Sequence, residues 1–174
     1  SCGMDIILET GELTGCTFSG HYRGAHFQPG NGVTVTDCDF TDCSYIGLSV
    51  NGSSAFQVTH NRFTGSNRGM AIENCNAADE RILIANNTLD LTGGTGITVS
   101  GAGFNILNNS VRSPGSNGRG ISCYYFPAQC DIMNNILVAP EGLALDMTYY
   151  TPDADKVLDY NCYYTESNSL VKLQ

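Results

Sequence analysis

Basic residues, charged residues in general and long apolar segments are all scarce in this sequence. Lys and Arg total 8 against 17 Asp and Glu, so the formal net charge is −9, which disfavours binding to the phosphate backbone of nucleic acids. No apolar run approaches the roughly 20 residues of a membrane-spanning helix, so we predict no membrane span. Charged residues make up 14% and Gly contributes 20 residues, a composition that excludes an all-helical protein. The length of 174 residues predicts one domain.

One seven-residue pattern recurs along almost the whole chain. In each copy a few alternating apolar residues precede Asn or Cys, and a bulky apolar residue follows two positions later. The copies are ELTGCTF (12–18), TVTDCDF (34–40), QVTHNRF (57–63), LIANNTL (83–89), NILNNSV (105–111), DIMNNIL (131–137) and VLDYNCY (157–163). Successive copies are 22 to 26 residues apart, and a period of this length indicates a solenoid.

A second pattern, Gly followed by an apolar, a small and an apolar residue, alternates with the first. It reads GMDI (3–6), GAHF (24–27), GLSV (47–50), GMAI (69–72), GITV (96–99), GISC (120–123) and GLAL (142–145). Each period therefore contains two short strands and no segment of helical length. Such strands bury their apolar faces by coiling. The sequence thus predicts an all-β, single-stranded parallel β-helix, or solenoid, of about seven coils with 22 to 27 residues each.

The fifth position of the first pattern predicts a ladder of stacked side chains. Equivalent residues of successive coils lie about 4.8 Å apart, so stacked Asn amides can bond to one another and satisfy buried polar groups. The ladder residues are Cys16, Cys38, Asn61, Asn87, Asn109, Asn135 and Asn161. Neighbouring apolar positions predict two core columns. These are Val33, Phe56, Ile82, Phe104 and Cys130, and Val35, Val58, Ile84, Ile106, Ile132 and Leu158.

We expect residues 1–174 to form one β-helix domain without end caps. The chain enters in mid-coil at GMDI and stops at LVKL, with no capping helix in the sequence. Open coil ends expose unpaired strand edges and apolar core. Two alternatives follow: the chain is a fragment of a larger protein, or copies of it stack end to end.

The eight cysteines favour stacked thiols over a disulfide framework. If one bridge forms, Cys16 and Cys38 are the pair at a suitable separation. No Cys-x-x-Cys motif is present and the three His lie at no ligand spacing from the cysteines, so zinc is disfavoured and no metal ligand is assigned. No cofactor is expected. The acidic turns at 37–42 and 153–159 could each bind calcium through their carboxylates, and the alternative is that these carboxylates are simply solvated.

The units VTVTDCDF, LIANNTL, ILNNSV and IMNNIL, with the GI-type strands, resemble the right-handed parallel β-helix proteins of the pectate-lyase-like superfamily. The resemblance covers nearly the whole chain. It implies a right-handed coil, as does the general rule for parallel connections, and we expect an extracellular or cell-surface protein. The superfamily includes polysaccharide lyases, hydrolases and epimerases as well as tailspikes, adhesins and structural surface proteins, so the fold alone does not select a function.

Outward residues of the Gly-containing strands must carry any chemistry. One predicted outward column is Asp5, His26, Ser49, Ala71, Thr98, Ser122, Ala144 and Val171, and the next is Gln28, Asn51, Glu73, Ser100, Tyr124 and Asp146. Their small central residues predict a smooth strip for an extended sugar chain, flanked by stacking tyrosines and carboxylate-binding arginines. The candidate substrate-binding residues are Gln28, Tyr45, Asn51, Glu73, Tyr124, Tyr125, Asp146, Tyr149 and Tyr150. The alternative is an ordinary solvated face.

The candidate catalytic residues cluster in the N-terminal coils. They are Asp5, Tyr22, Arg23, His26 and Arg68. Asp5 is predicted to orient His26 as a general base, while Tyr22 donates a proton. Arg23 or Arg68 would neutralise a uronate carboxylate. This set suits β-elimination or epimerisation, and its alternatives are a surface contact between Asp5 and His26 or a site completed by residues outside the sequence.

Glycoside hydrolysis fits the sequence less well. Glu73 and Asp146 are predicted three coils apart, roughly 14 Å, beyond the roughly 5 to 9.5 Å that paired catalytic carboxylates span. The superfamily's paired-aspartate signatures are absent, and the only lysines, Lys156 and Lys172, lie near the C-terminal end, which also weakens the lyase interpretation.

Two functions of different class therefore follow. One is an extracellular carbohydrate-interacting β-helix, related to polysaccharide lyases or uronate epimerases, whose partner is an acidic polysaccharide or cell-surface glycan. The other is a non-catalytic structural or adhesive solenoid that self-associates through its open ends into filaments or belongs to a larger surface protein.

Overall fold

The structure is a computed structural model that describes residues 2–7, 10–28, 31–52, 54–76, 81–124, 130–148, 156–167 and 170–173. Every helix or strand in this part of the chain is a β-strand, and none of it is a helix long and apolar enough to cross a membrane. The strands are β1 (Cys2–Ile7), β2 (Gly11–Thr14), β3 (Thr17–Ser19), β4 (Arg23–Gln28), β5 (Asn31–Thr36), β6 (Asp39–Thr41), β7 (Ile46–Asn51), β8 (Ala55–Thr59), β9 (Arg62–Thr64), β10 (Arg68–Asn76), β11 (Ile82–Ala85), β12 (Thr88–Asp90), β13 (Thr95–Ala102), β14 (Phe104–Leu107), β15 (Ser110–Arg112), β16 (Arg119–Tyr124), β17 (Cys130–Met133), β18 (Ile136–Val138), β19 (Leu143–Thr148), β20 (Lys156–Asp159), β21 (Cys162–Tyr164) and β22 (Val171–Leu173).

The strands form three parallel sheets, and each coil contributes one strand to each sheet. Sheet A is ordered β1-β4-β7-β10-β13-β16-β19-β22, sheet B β2-β5-β8-β11-β14-β17-β20, and sheet C β3-β6-β9-β12-β15-β18-β21. The predicted all-β parallel solenoid is therefore confirmed, and the coil number is close to the predicted seven. The sequence patterns identified two strands per coil, and sheet C adds a third of only three residues.

The apolar core lies inside the coil, between the three sheets. Both predicted core columns are confirmed by the strand register in sheet B, where Val33 pairs with Phe56 and Ile82 with Phe104. Sheet C adds an aromatic stack in which Phe40 lies 5.1 Å from Phe18 and 4.6 Å from Phe63, ring centroid to centroid. These contacts run along the coil axis, so each coil stabilises the next.

The corner between sheets B and C contains the asparagine ladder. Asn87 Nδ2 donates to Asn109 Oδ1 at 3.0 Å, and Asn109 Nδ2 donates to Asn135 Oδ1 at 3.0 Å. The same Asn109 amide donates to the carbonyl of Ile84 at 2.9 Å. Cys38 joins the ladder through its backbone N–H, which donates to Asn61 Oδ1 at 2.9 Å. Each ladder amide thus satisfies backbone groups that the corner buries.

The residue before each ladder position adopts left-handed backbone geometry. These residues are Gly15, Asp37, His60, Asn86, Asn108, Asn134 and Tyr160, with φ between 54° and 63°. Asn tolerates this region better than other non-glycine residues. Three of the ladder sites are therefore preceded by Asn, which explains the repeated Asn-Asn pairs of the sequence.

Among the cysteines that the structure describes, Cys16, Cys38, Cys123 and Cys162 are free thiols. Cys43, Cys75 and Cys130 are buried. Burial is the main cause that raises the pKa of Cys38, and burial raises the pKa of Cys123 well above the ordinary thiol value. Cys162 is exposed. Most of these thiols therefore act as small core residues.

The predicted alignment of the last two coils is wrong by two residues and by one residue, respectively. In sheet A, Ser122 pairs with Asp146 and Asp146 pairs with Lys172. Asp146 and Lys172 therefore occupy the outward positions that were predicted for Ala144 and Val171. The core positions opposite Ile121 and Cys123 are filled by Leu145 and Met147. The Gly of the GLAL unit lies in a turn, where Gly142 N–H donates to the carbonyl of Ala139. A two-residue slip preserves the alternation of the strand, so the sequence pattern does not reveal it.

Candidate functional site

One outward column of sheet A contains most of the candidate chemistry. In coil order it is Asp5, His26, Ser49, Ala71, Thr98, Ser122, Asp146 and Lys172. Its middle is buried although it points away from the core: Ala71 is 3% exposed, Thr98 1% and Ser122 0%. The predicted strip of small residues is present, and its central side chains are less exposed than those of a strand face in contact with solvent.

Beside this column, four predicted residues form a platform of tyrosine and arginine side chains. The rings of Tyr22 and Tyr45 stack with centroids 5.0 Å apart and planes 10° apart. The guanidinium carbons of Arg23 and Arg68 lie 5.8 and 5.7 Å from the Tyr45 ring centroid. Arg68 also donates to the Tyr45 hydroxyl and to Thr98 Oγ1, each at 3.2 Å. Two cations are thus held on a stacked aromatic pair, with Tyr22 half exposed at 51%.

His26 lies on the strand next to Asp5, as predicted, with the two Cα atoms in register. Its Nδ1 is buried and has no hydrogen-bond partner among the described residues. Asp5 therefore does not orient the imidazole through this nitrogen. The nitrogen remains available to a ligand or to a proton.

A second polar cluster lies in the C-terminal half of the same column. Arg119 Nε donates to Asp146 Oδ2 at 2.7 Å, and the side chains are 34% and 5% exposed. The other carboxylate oxygen, Asp146 Oδ1, is buried without a partner in the described part of the chain, as is the hydroxyl of Ser122 on the adjacent strand. We predicted Asp146 beside Tyr124, three coils from Glu73, and the observed register places it beside Ser122 instead.

The buried polar atoms that lack a partner share one location. Among the described residues they are His26 Nδ1, Ser122 Oγ and Asp146 Oδ1, and all three belong to this single column. Buried polar groups without partners are rare and usually indicate bound water, an ion, a ligand or a catalytic role. The sequence places Ser122 and Asp146 in outward columns. It does not show whether their side chains have hydrogen-bond partners, because that depends on the three-dimensional structure.

A cleft of about 290 Å³ opens at the end of the strands of sheet A. It is lined by Glu73, Asn74, Ser100 and Tyr124. A bulge between Ile72 and Cys75 shapes it, with Asn74 at φ 54° and its N–H donating to Ser100 Oγ at 3.0 Å. The predicted residues Glu73 and Tyr124 thus line one cleft, while Asn74 was missed because the bulge interrupts the strand alternation.

The other predicted binding residues are placed as follows. Gln28 and Asn51 are exposed on the outward column beside that of His26. Tyr125, Tyr149 and Tyr150 lie outside the described residues, as do Asp153 and Asp155 of one acidic turn. Within the described part of the chain, no three His, Cys, Asp or Glu residues come together to hold a metal ion.

The comparison with protein families agrees with this architecture. The family model described as right handed beta helix region matches residues 3–156. The chain belongs to this family. No curated protein and no solved structure is significantly similar to it. A right-handed β-helix fits carbohydrate-active and structural proteins generally, and membership therefore establishes the fold and the handedness but not the reaction.

Proposed function

We propose that this β-helix is an extracellular or cell-surface protein that binds an acidic glycan along the outward face of sheet A, as a relative of polysaccharide lyases or uronate epimerases. One observation carries the proposal. Among the described residues, the buried polar atoms without partners are His26 Nδ1, Ser122 Oγ and Asp146 Oδ1, and they form one line parallel to the coil axis. An extended polymer lying along that line would pass over all three.

The arginines support an acidic polymer. Arg23 and Arg68 both pair with Ile46, one on each side of it. Arg119 pairs with Thr95 of strand β13, and the register between β10 and β13 places Thr95 opposite Arg68. Successive arginines are therefore two coils apart, roughly 10 Å at the usual strand spacing. Arg119 is paired with Asp146, so Arg23 and Arg68 are the members of this arginine row that are left to bind carboxylates of the polymer.

The net charge of −9 does not prevent this binding. At physiological ionic strength, exposed charges more than about 8 Å apart are largely screened. Arg68 is half buried, and its guanidinium is held by Tyr45 and Thr98. A local cation of this kind is screened less than the dispersed acidic residues. The arginine row therefore determines the field that a bound carboxylate experiences.

The catalytic part of the proposal assigns proton abstraction to His26. Elimination and epimerisation of a uronate both begin with removal of the proton next to the carboxylate. An imidazole nitrogen without a hydrogen-bond partner is suited to accept that proton. Arg68, over the Tyr45 ring, would hold the carboxylate. Tyr22, which stacks on the same ring, would donate a proton: to the leaving oxygen when the glycosidic bond breaks in elimination, or to the opposite face of the same carbon in epimerisation.

The first experiment measures binding and turnover together. Wild-type protein is titrated calorimetrically with polygalacturonate, alginate and hyaluronan, with dextran as the neutral control. Elimination is followed by the ultraviolet absorbance of unsaturated uronate, and epimerisation by deuterium incorporation from heavy water. We expect Arg68→Ala to weaken binding at least about tenfold, whereas Arg62→Ala, an exposed arginine of sheet C, leaves it unchanged.

Replacement of His26 separates binding from catalysis. His26→Ala is expected to retain the affinity for the polymer within a few fold and to abolish turnover, because the base is lost. Unchanged turnover in His26→Ala would remove His26 from the mechanism. If the polymer binds without any reaction in the wild type, the protein is a carbohydrate-binding β-helix and the enzymatic part of the proposal is wrong.

The structural or adhesive solenoid is the second candidate, and the continuity of the stacking favours it. The Asn61 to Asn161 ladder and the three parallel sheets run through the coils without a break in their order. Absence of binding to all three acidic polymers, together with rods made of repeated 18.6 kDa units in light scattering and electron microscopy, would establish this alternative.

A further inference from the structure

We infer that Ser122 and Asp146 form a subsite for one sugar hydroxyl in the C-terminal half of the sheet A face. The inference rests on the proposed function, because it specifies how the same face would recognise a glycan. Ser122 and Asp146 lie five and six coil steps away from Asp5, in a cluster separate from the tyrosine and arginine platform.

The geometry of the pair is unusual for a structural ion pair. Ser122 and Asp146 are direct neighbours on adjacent strands, and they are 0% and 4% exposed. Asp146 Oδ2 is bound by Arg119, whereas Asp146 Oδ1 and Ser122 Oγ have no partner in the described part of the chain. A buried carboxylate oxygen without a hydrogen bond destabilises the folded chain, so a donor is expected to occupy the space beside it.

The hydrogen-bonding capacity of the two groups selects the ligand. An ionised carboxylate oxygen only accepts, whereas a serine hydroxyl both donates and accepts. An alcohol can donate to Asp146 Oδ1 and accept from Ser122 at the same time. A ligand carboxylate would instead face the like charge of Asp146, so we assign the carboxylates of the polymer to the arginine row and a hydroxyl to this subsite.

Thr98 provides an internal comparison. It occupies the same column one coil before Ser122, and it is equally buried, but its Oγ1 already accepts a hydrogen bond from Arg68. Asp146 is in turn oriented by Arg119. The column is thus not uniformly unsatisfied. Arg68 donates to Thr98 on the strand before Ser122, and Arg119 donates to one oxygen of Asp146, whereas Ser122 Oγ and Asp146 Oδ1 have no partner among the described residues.

The rival explanation is an ordered water molecule that plays only a structural role. Both explanations satisfy Ser122 Oγ and Asp146 Oδ1, but they differ in what happens when Ser122 is replaced. A structural water predicts lower stability and no effect on glycan affinity. A hydroxyl subsite predicts lower affinity with the stability of the free protein unchanged or higher, because the variant removes an unsatisfied buried group.

The test uses Ser122→Ala with Ser110→Ala, an exposed serine of sheet C, as the matched control. The ligand is whichever of polygalacturonate, alginate and hyaluronan binds the wild type most tightly, and its chemically O-acetylated form. We expect Ser122→Ala to weaken binding of the unmodified polymer about three- to tenfold, as for one lost hydrogen bond. Acetylation should weaken binding to the wild type more than binding to Ser122→Ala, because it blocks the hydroxyl that the subsite recognises. Melting temperatures of the free proteins are recorded in parallel.

Each outcome decides the inference. Lower affinity in Ser122→Ala, reduced sensitivity to acetylation and an unchanged or raised melting temperature support the subsite. Unchanged affinity of a correctly folded Ser122→Ala protein overturns the subsite while the proposed function stands. Absence of binding of the wild type to any of the three polymers overturns both. Asp146→Asn, which retains the size of the side chain, should lose more affinity than Ser122→Ala, and equal affinity to the wild type would count against the subsite.

Discussion

At the scale of single residues, the position before each ladder residue requires left-handed backbone geometry, and only some of the residues found there adopt it readily. Gly and Asn occupy four of the seven left-handed positions, while Asp37, His60 and Tyr160 occupy the others at φ 54° to 59°. A side chain with a Cβ and no compensating local hydrogen bond is disfavoured there. Tyr160 is also 77% exposed. It therefore contributes little packing to offset its backbone strain.

We predict that Tyr160→Asn stabilises the protein by about 1 kcal/mol, because Asn adopts the left-handed region with less strain. The midpoint of urea denaturation measures the change. Tyr164→Asn serves as the control, since Tyr164 is a partly exposed tyrosine in strand β21. This control variant should show no gain. A loss of stability in Tyr160→Asn would mean that the tyrosine ring makes a favourable contact in solution.

The thiols provide a second prediction for individual residues. Cys162 is exposed, whereas Cys38, Cys43, Cys75, Cys123 and Cys130 are buried. Thiol reactivity requires access and thiolate, so iodoacetamide should label Cys162 of the native protein far faster than the five buried cysteines. Peptide mass spectrometry over a time course measures the rates. Comparable labelling of Cys123 and Cys162 would indicate that the coil opens around Cys123.

At the scale of elements, the strands are short and depend on the corner that joins them. Strands of sheet C have three residues each, too few to be stable alone. The ladder amides provide the missing support, because each one bonds to the backbone of a neighbouring coil as well as to the next amide. The bulge of strand β10 also depends on a single residue. Cys75 of the bulge pairs with Gly101, where a Cβ would lie 1.9 Å from the Cys75 carbonyl oxygen.

Replacement of one central ladder residue should destabilise several coils together. Asn109→Ala leaves the N–H of Asn87 and the carbonyl of Ile84 without their partners. We predict a loss of roughly 3 kcal/mol or more, since each buried unsatisfied group costs about 1–3 kcal/mol. Asn134→Gly, at a left-handed turn position, is the control and should change stability by less than about 0.5 kcal/mol. Equal effects of the two variants would contradict a special role of the ladder. Both changes are read from denaturant midpoints.

At the scale of the whole molecule, the buried thiols make stability depend on alkaline pH. Burial raises the pKa of Cys38 and Cys123, and Cys130 and Asp146 add to the effect on Cys123. The folded chain therefore keeps these protons to higher pH than the unfolded chain. Their stabilising contribution is complete below the unfolded thiol pKa of about 8.5 and is lost as the pH rises through the raised folded values.

Thermal unfolding measured from pH 7 to 11 tests this expectation. The wild type should lose stability above about pH 8.5, and Cys123→Ala should flatten the loss because one shifted group is removed. Cys162→Ala, which replaces the exposed thiol, should leave the profile unchanged. A profile that is identical for the wild type and for Cys123→Ala would show that this thiol does not control the alkaline transition.

The solenoid and its ladder follow from the sequence, whereas the candidate site is only partly encoded in any pattern. A repeat of about two dozen residues stacks equivalent positions directly, so the Phe40 and Asn109 columns can be read from the spacing alone. The same alternation permits a slip of two residues, so the neighbour of Ser122 was decided by the packing of Leu145 and Met147 in the core. Ser122 Oγ and Asp146 Oδ1 lack hydrogen-bond partners among the described residues, and this depends on distances between side chains about 24 residues apart. Such distances are set by the bulges and turns of neighbouring coils, which hydrophobic periodicity does not record.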